Sequence, residues 1–177
     1  MTGLRWGIMG TGGIAATMVR TLTDVGSSVV AVGSSRPGAA ARFAAEHDIA
    51  DACDSHAAVA GHPAVDVVYV ATTNDRHRRN VLEAVAAGTP VLCEKPLALN
   101  ARQAGEMLDA ARTAGVLVVE AMWMRFQPFL GRVDELLDAG RIGPVTHVHA
   151  AFGFPADPDP TRRWLNRALG GGALLDL

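Results

Sequence analysis

The sequence has few cysteines, few aromatic residues and no long apolar run. Its 177 residues include two cysteines, one tyrosine, three tryptophans and five phenylalanines. Cys53 and Cys93 provide no disulfide framework of the kind that small secreted domains use. The apolar runs are far shorter than the ~20 residues of a membrane span. We expect no signal peptide, because the apolar run at residues 4–10 is too short. We therefore predict a soluble, cytoplasmic protein without a membrane partner.

An excess of charge of one sign is also lacking. Sixteen basic and eighteen acidic residues leave a formal net charge of −2, and the arginines are dispersed except at 76–79 and 162–163. This is not the composition of a nucleic-acid-binding protein. With 49% hydrophobic and 19% charged residues, the chain has the composition of a globular protein with a core. We predict neither a nucleic-acid partner nor a metal site.

Lysine is the scarcest charged residue, because Lys95 is the only one beside fifteen arginines. It follows the run 91–94, in which an apolar stretch ends in Glu94, and it precedes Pro96. Such a run is typical of a buried strand whose C-terminal tip carries two charged side chains. Arginine keeps its proton in proteins, whereas lysine can release one when burial or a neighbouring cation disfavours its charged form. The alternative is a lysine kept by chance in an exposed loop.

Valine-rich runs alternate with segments of helical periodicity up to residue 120. The runs that we predict as strands cover residues 4–10, 29–33, 49–52, 65–71, 90–94 and 116–119. Continuous apolar strands separated by helices of about ten to fifteen residues indicate a parallel sheet that is covered on both faces. Residues 1–120 are therefore predicted to form an α/β domain, a doubly wound parallel sheet of the Rossmann type.

The pattern changes after Glu120. Residues 128–139 have the features of a helix, residues 145–154 alternate like a half-exposed strand, and the glycines at 170–172 follow a loop rich in proline and aspartate. A single helix and a single strand cannot bury a sheet face. We predict that residues 121–177 are the N-terminal part of a truncated α+β substrate and dimerisation domain, and that the sequence is a portion of a longer chain.

A glycine-rich turn follows the first predicted strand. Residues 10–15 read Gly10-Thr11-Gly12-Gly13-Ile14-Ala15 and fit G-x-G-x-x-A, in which the glycines allow a tight turn and the approach of a pyrophosphate to the backbone. The N–H groups that begin the following helix would receive the phosphate charge. Apolar residues then recur at helical spacing, at Ile14, Met18, Leu22 and Val25. The turn predicts a dinucleotide-binding domain in which residues 10–14 contact the cofactor.

The end of the second strand predicts which cofactor binds. An NAD site has an acid there for the ribose 2′-hydroxyl, whereas this chain has Ser34, Ser35 and Arg36. A guanidinium binds phosphate in a forked geometry, so we predict NADP, with NAD as the possible alternative, and name Ser35 and Arg36 as contacts. Alternatively, Arg36 stacks on the adenine or faces solvent.

Polar residues also follow the fourth predicted strand, on the edge where ligands bind in this architecture. Thr72 and Asn74 are candidates for the cofactor site, and Asn74 is also a candidate helix cap. His77, one turn later, reaches either the nicotinamide ribose or only the solvent.

Four motifs resemble, in order and spacing, those of the glucose–fructose oxidoreductase/inositol dehydrogenase (Gfo/Idh/MocA) family. They are Gly10-x-Gly12-x-x-Ala15, Ala71-Thr72-x-Asn74-x-x-His77, Glu94-Lys95-Pro96 and Gly170-Gly171-Gly172-Ala173-Leu174-Leu175-Asp176. Residues 120–126 also resemble the branch of dimeric dihydrodiol dehydrogenase and NADP-dependent D-xylose 1-dehydrogenase. The resemblance covers the whole chain.

The resemblance implies roles for single residues. Lys95 would lie beside the nicotinamide and the substrate hydroxyl as a catalytic group, with Glu94 among the cofactor contacts. Asp176 would help to hold the substrate, and Arg163 and Trp164 would lie near the reactive end of the cofactor. The family's proton-transfer histidine or tyrosine would come four residues after Asp176, beyond the last residue of the sequence. Many relatives pair through a sheet, so a homodimer is expected of the full-length protein.

These observations predict an oxidoreductase, an NAD(P)-dependent dehydrogenase acting on CH–OH donors. It would transfer a hydride between NADP and a sugar, cyclitol or diol, a small polyhydroxy substrate that Trp123 and Phe152 could contact by stacking. Packing between domains is the alternative for both aromatic residues. Two other classes stay open: a nucleotide-binding regulatory or sensor module without turnover, and a hydrolase or lyase that uses bound NAD as a redox catalyst.

Overall fold

The structure, a computed structural model, describes residues 3–153, 155, 157–159 and 161–176, with Asp176 described by its backbone only. Six strands form one sheet in the order β3-β2-β1-β4-β5-β6, and every neighbouring pair is parallel. The strands are β1 (Arg5–Met9), β2 (Ser28–Gly33), β3 (Asp51–Cys53), β4 (Val67–Val70), β5 (Val91–Cys93) and β6 (Val118–Glu120). The predicted fold class, a doubly wound parallel sheet, is confirmed.

Helices connect the strands on both faces of the sheet. In chain order they are α1 (Gly13–Asp24), α2 (Ala39–Glu46), α3 (His56–Ala60), α4 (His77–Ala86) and α5 (Ala101–Ala114), followed beyond the sheet by α6 (Pro128–Asp138) and α7 (Ala173–Asp176). Short 3-10 turns cover Asn74–Arg76, Trp123–Phe126 and Arg167–Leu169. No helix in the described part of the chain has the length and apolar character needed to cross a membrane.

Each face of the sheet has its own apolar layer. The layer beneath α1 and α2 contains Ile8, Ala15, Val19, Val32, Phe43 and Tyr69. The layer beneath α3, α4 and α5 contains Val59, Val68, Val70, Val81, Val91 and Met107. Full burial of one such large apolar side chain contributes about 1.5–3 kcal/mol. The two layers cover the faces of the sheet and hold the strands in place. The loops at the strand ends lie outside these layers and are available for binding.

The carboxyl ends of the strands form the edge that matters for function. Strand order reverses between β1 and β4, which is the switch point where open α/β sheets bind ligands in a crevice. The glycine turn lies after β1 at this point, and the loops after β2, β4 and β5 lie on either side of it. We call this side of the sheet the carboxyl edge.

The apolar residues predicted at helical spacing in α1 are only partly buried, because Leu22 and Met18 pack on the core whereas Ile14 and Val25 do not. Ala15, Val19 and Leu22 are buried, whereas Ile14 is 48% exposed and Val25 is 70% exposed. The helix turns the small Ala15 toward the sheet because close packing of α1 on β1 needs a short side chain there. Ile14, the neighbouring residue, therefore points outward beside the glycine turn.

The strand predicted at 145–154 is wrong for the residues that the structure describes. Residues 145–153 contain no strand, and all of them are exposed, while Phe154 lies outside the described residues. A strand needs a neighbour to accept and donate its backbone hydrogen bonds. The described residues after Glu120 contain no such neighbour, so the alternating pattern alone does not form a strand.

Candidate functional site

The glycine turn between β1 and α1 brings the backbone into the crevice. Gly10 has φ +118°, and a Cβ on it would lie 2.6 Å from the carbonyl oxygen of Ala71, so only glycine fits. A Cβ on Gly12 or Gly13 would meet nothing within 4 Å, which leaves open space beside both. Gly12 caps α1 without a side-chain hydrogen bond and no acid lies in the first turn. The N–H groups of that turn are thus suited to a phosphate.

The loop after β2 lies beside this turn. The N–H of Arg36 donates to Oγ of Ser34 (3.2 Å), and Nη2 of Arg36 donates to Oγ1 of Thr11 (3.1 Å). The guanidinium of Arg36 therefore reaches across from β2 to the glycine turn. Ser35 and Arg36 are both exposed, so their polar atoms are accessible to a ligand.

A pocket of about 290 Å³ adjoins Arg36. Its lining includes Ser34, Ser35, Gly38 and Cys53, and Asp54 is the one acid among the described residues that line it. A second pocket of about 260 Å³ shares Ser35 and Asp54 and extends to α4. Together the two pockets form a crevice with both polar and apolar lining at the carboxyl edge beyond β2.

Lys95 lies in the loop after β5, residues 94–97, which we call the Lys95 loop. The N–H of Glu94 donates to the carbonyl of Val70 (3.0 Å), so the loop continues the pairing of β4 with β5. The N–H of Lys95 donates to Oε2 of Glu94 (3.1 Å), and the Lys95–Pro96 peptide is cis. Lys95 is half-buried. As predicted, the strand carries both charged residues to its C-terminal tip.

Glu94 accepts a hydrogen bond from Tyr69, the only tyrosine of the sequence. Tyr69 is buried in the middle of β4, and its hydroxyl donates to Oε1 of Glu94. Burial, followed by the hydrogen bond and charge of Glu94, raises the pKa of Tyr69, so the phenol stays protonated and remains a donor. Tyr69 is not among the predicted site residues, because its contact depends on the register of β4 with β5.

Asn74 and His77 follow β4 at the same edge. Asn74 is a candidate helix cap in the sequence, but it lies inside the 3-10 turn. The cap position before that turn is Thr73, whose side chain makes no capping hydrogen bond. Nδ2 of Asn74 instead donates to the carbonyl of Gly170 (2.9 Å). Nδ2 of Asn80 donates to Oγ1 of Thr72 (2.9 Å), which fixes the predicted cofactor contact Thr72 in the loop.

His77 is fully buried, so the alternative in which it reaches only the solvent is wrong. Nδ1 lies 2.8 Å from the carbonyl oxygen of Pro96, and Nε2 lies 3.2 Å from that of Thr72. Burial lowers the pKa of His77 although the two carbonyls oppose this, so the ring is neutral near pH 7. Its contact with a cofactor stays a prediction.

The glycine-rich segment, residues 170–172, is packed against the loop after β4. Gly170 has φ +79°, and a Cβ on it would lie 2.5 Å from Cδ2 of Leu99 and 2.7 Å from Cβ of Asn74. The guanidinium of Arg163 lies 5.2 Å from the ring centre of Trp164, within the range of a cation–π contact. Nε1 of Trp164 is buried and has no acceptor among the described residues.

Two of the predicted substrate contacts are aromatic side chains with large exposed fractions. Trp123 is 65% exposed and Phe152 is 75% exposed. The side chain of Asp176 lies outside the described residues, although its backbone ends α7, directly after the glycine-rich segment. The roles of all three in substrate binding stay predictions.

Glu120, which is not among the predicted site residues, contacts the Lys95 loop. It ends β6, and its Oε1 accepts from the N–H of Leu97 (2.7 Å). The sequence feature that could have pointed to Glu120 is its place directly after the apolar run 116–119, which brings it to the same edge of the sheet as Glu94. In the sequence, Glu120 stands out only as the end of the first domain and as the first residue of the 120–126 stretch.

A parallel sheet of this order with a glycine turn at its switch point defines an NAD(P)-binding Rossmann domain. The chain belongs to the GFO/IDH/MocA oxidoreductase family. Residues 4–122 match the family described as an oxidoreductase family with an NAD-binding Rossmann fold, and residues 130–177 match the GFO/IDH/MocA C-terminal domain. The predicted family is confirmed.

Three relatives illustrate this similarity. Trans-1,2-dihydrobenzene-1,2-diol dehydrogenase of Mus musculus is 41% identical over 177 residues, covering 98% of this chain and 53% of the relative. The protein of the same name from Xenopus laevis is 41% identical over 176 residues with the same coverage. The crystal structure of KijD10, a 3-ketoreductase from Actinomadura kijaniata, in complex with NADP and TDP-benzene, is 31% identical, has a TM-score of 0.86, and is matched over 99% of this chain and 54% of its own. The chain spans about half the length of these relatives.

Proposed function

We propose that the protein is an NADP-dependent dehydrogenase that transfers a hydride between NADP and the CH–OH group of a diol, sugar or cyclitol. One observation carries the proposal. The open glycine turn and the loop that holds the only lysine lie at the same carboxyl edge of one sheet. A binding module needs the turn but has no use for a half-buried lysine at the same edge of the sheet.

The charges of the crevice support NADP as the cofactor. Residues 10–14 would hold the pyrophosphate through their N–H groups, and Arg36 would bind the 2′-phosphate in a forked geometry. The hydrogen bond from the guanidinium of Arg36 to Thr11 supports this role, because it holds Arg36 beside the glycine turn. Asp54 is an acid in the same pocket, but it follows β3 rather than β2, where the acid of an NAD site lies.

Oxidation of the substrate requires one proton transfer besides the hydride transfer, and the cofactor would accept the hydride from the carbinol carbon when bound. Lys95 would hold the substrate hydroxyl at Nζ and share its proton as the carbonyl forms. A cationic Lys95 would also stabilise negative charge that develops on that oxygen. Asp176 would accept hydrogen bonds from neighbouring hydroxyl groups, and Arg163 with Trp164 would border the reactive end of the site.

The substrate class follows from this chemistry and from the relatives. The Mus musculus relative is named for a cyclic trans-diol, and the 3-ketoreductase relative was solved with NADP. A vicinal diol suits a site in which Lys95 and a carboxylate contact adjacent hydroxyl groups. Trp123 and Phe152 would offer aromatic surface to a ring. We also propose that the full-length protein is a homodimer, which its mass in solution tests.

Titration of NADPH and NADH against the chain, followed by the fluorescence of the reduced nicotinamide, tests the cofactor assignment. We expect tighter binding of NADPH, and Arg36→Ala should weaken NADPH by about tenfold or more, because a charge-assisted bond to phosphate is lost. Binding of NADH should change little. Arg20→Ala is the matched control, since Arg20 is an exposed arginine of α1 that bonds Thr17.

The outcomes separate the proposals. A preference for NADH that Arg36→Ala leaves unchanged would overturn the assignment of NADP. Tight binding of NADPH without turnover of any diol, sugar or cyclitol would favour a nucleotide-binding sensor module.

A further inference from the structure

The Lys95 loop is bonded on both sides of Lys95 by groups from other elements. Before it, Glu94 pairs through its N–H with Val70 of β4. After it, the carbonyl of Pro96 faces Nδ1 of His77 at 2.8 Å, and the N–H of Leu97 donates to Glu120 at 2.7 Å. Three neighbouring elements therefore determine the course of a four-residue loop.

The bond from Leu97 to Glu120 is of the strong kind. A carboxylate that accepts a backbone N–H forms a charge-assisted hydrogen bond, about twice as strong as a neutral one. Glu120 is half-buried at the end of β6, and β6 is paired with β5 through Cys93 and Glu120. The acceptor thus lies on a rigid strand next to the one that carries Lys95.

The bond from His77 joins two loops. Its Nδ1 lies within hydrogen-bonding distance of the carbonyl oxygen of Pro96. The other nitrogen lies against the carbonyl of Thr72. A fully buried side chain in this position cannot rotate away without leaving a cavity, so it holds the loops after β4 and β5 at a fixed separation.

We propose that Glu120 and His77 are positioning residues for Lys95. Glu120 fixes the Lys95 loop from β6, and His77 fixes it from α4, so that Nζ of Lys95 is held where the substrate hydroxyl binds. The proposal rests on the function proposed above, since it takes Lys95 as the group that contacts substrate. It adds two residues that act through the backbone of the loop. Displacement of a reacting group by about 1 Å can reduce a rate by about 10²-fold.

The single lysine allows a direct readout of its position. Protein grown with lysine that is ¹³C-labelled at Cε gives one side-chain signal in the NMR spectrum, because Lys95 is the only lysine. In the wild-type protein we expect a signal displaced from that of free lysine, and a further shift when NADPH is added. Glu120→Ala and His77→Gln should move the signal toward the free-lysine value and reduce its response to NADPH.

Two variants serve as controls. Glu120→Gln keeps an oxygen that accepts from Leu97, so it should largely restore the wild-type signal. Glu135→Gln removes an exposed acid of α6 that pairs with Arg132, and it should leave the signal unchanged. The urea midpoint of each variant shows whether it is folded under the conditions of the spectrum. A wild-type signal in folded Glu120→Ala would overturn the proposal.

A double-mutant cycle in steady-state kinetics tests the link to the reaction. Glu120→Ala should lower kcat by about 10- to 100-fold while KM for NADPH changes little, and Glu120→Gln should recover most of the rate. In a Lys95→Ala background, Glu120→Ala should cause no further loss. Losses that multiply would show that Glu120 acts independently of Lys95 and would overturn the proposal.

The two measurements separate this inference from the function on which it rests. If wild-type protein binds NADPH but turns over no substrate, the dehydrogenase assignment fails, and the NMR arm still decides whether the loop is held by Glu120 and His77. If turnover depends on Lys95 but the signal is insensitive to both residues, the function stands and the positioning role fails.

Discussion

Replacing Gly10 and Gly12 by alanine, one at a time, separates two reasons for glycine within one motif. Gly10 has φ +118°, and an added Cβ would lie 2.6 Å from the oxygen and 2.9 Å from the carbon of the Ala71 carbonyl. That group is backbone in the loop after β4 and cannot rotate away. Gly12 has φ −92° and ψ 178°, which any residue adopts, and an added Cβ meets nothing within 4 Å.

The expected magnitudes differ accordingly. For Gly10→Ala, the backbone conformation costs about 1–3 kcal/mol, and the overlap with Ala71 costs about 1–3 kcal/mol more. The total, about 2–6 kcal/mol, is a large part of the 5–15 kcal/mol typical of a domain. Gly12→Ala should cost less than about 1 kcal/mol, since it changes only the capping residue of α1. It should nevertheless weaken NADPH by about tenfold or more, because the methyl group stands where the pyrophosphate approaches.

Urea unfolding followed by circular dichroism, together with NADPH titration, measures both effects. We expect Gly10→Ala to lower the urea midpoint by about 1 M or more, and Gly12→Ala to retain its midpoint while losing affinity. Unchanged stability of Gly10→Ala would refute the geometry given for the turn. Unchanged affinity of Gly12→Ala would refute the pyrophosphate site.

Two further predictions concern the residues that close the site. Burial depresses the pKa of His77 below its ordinary value of 6.5, so the unfolded chain takes up a proton first as the pH falls. The free energy of unfolding should therefore be retained above about pH 6.5 and decline as the pH is lowered toward the folded-state pKa. Urea midpoints measured against pH should show a smaller decline for His77→Gln than for the wild-type protein. An equal decline in the two proteins would contradict this prediction. Gly170→Ala should release the glycine-rich segment and speed its amide hydrogen exchange, because the new methyl group would overlap Leu99 and Asn74. Gly140→Ala, at φ +65° with open space around it, controls for backbone strain alone, and equal exchange in the two variants would contradict the packing described.

Features that depend on local sequence could be predicted. The continuous valine runs indicate the parallel sheet, since strands buried on both faces need no polar alternation. The glycine turn after β1 and the charged tip of β5 follow from order along the chain, because parallel strands bring their carboxyl ends to one edge. Lys95 stands out in the sequence by its rarity and by the strand before it.

Features that depend on contacts between distant elements could not be predicted. Asn74 satisfies its amide on Gly170, 96 residues later, so its local tendency to cap a helix does not decide its role. His77 and Glu120 act on the Lys95 loop from α4 and β6, and the position of each depends on how the strands pair. The alternation in 145–153 indicates a strand only where a partner strand is present, and the described residues supply none.

Transfer of deuterium from substrate to cofactor tests the central claim most directly. The full-length protein is incubated with NADP and a trans-diol that is deuterated at its carbinol carbons. The deuterium content of the reduced cofactor is then measured by mass spectrometry. We predict deuterated NADPH from wild-type protein and a loss of about 10²-fold or more in its rate of formation in Lys95→Ala, while NADPH binding by that variant is retained. Deuterium transfer by Lys95→Ala at the wild-type rate would contradict the catalytic role of Lys95. Tight NADP binding by wild-type protein with no transfer from any diol, sugar or cyclitol would contradict the assignment as a dehydrogenase.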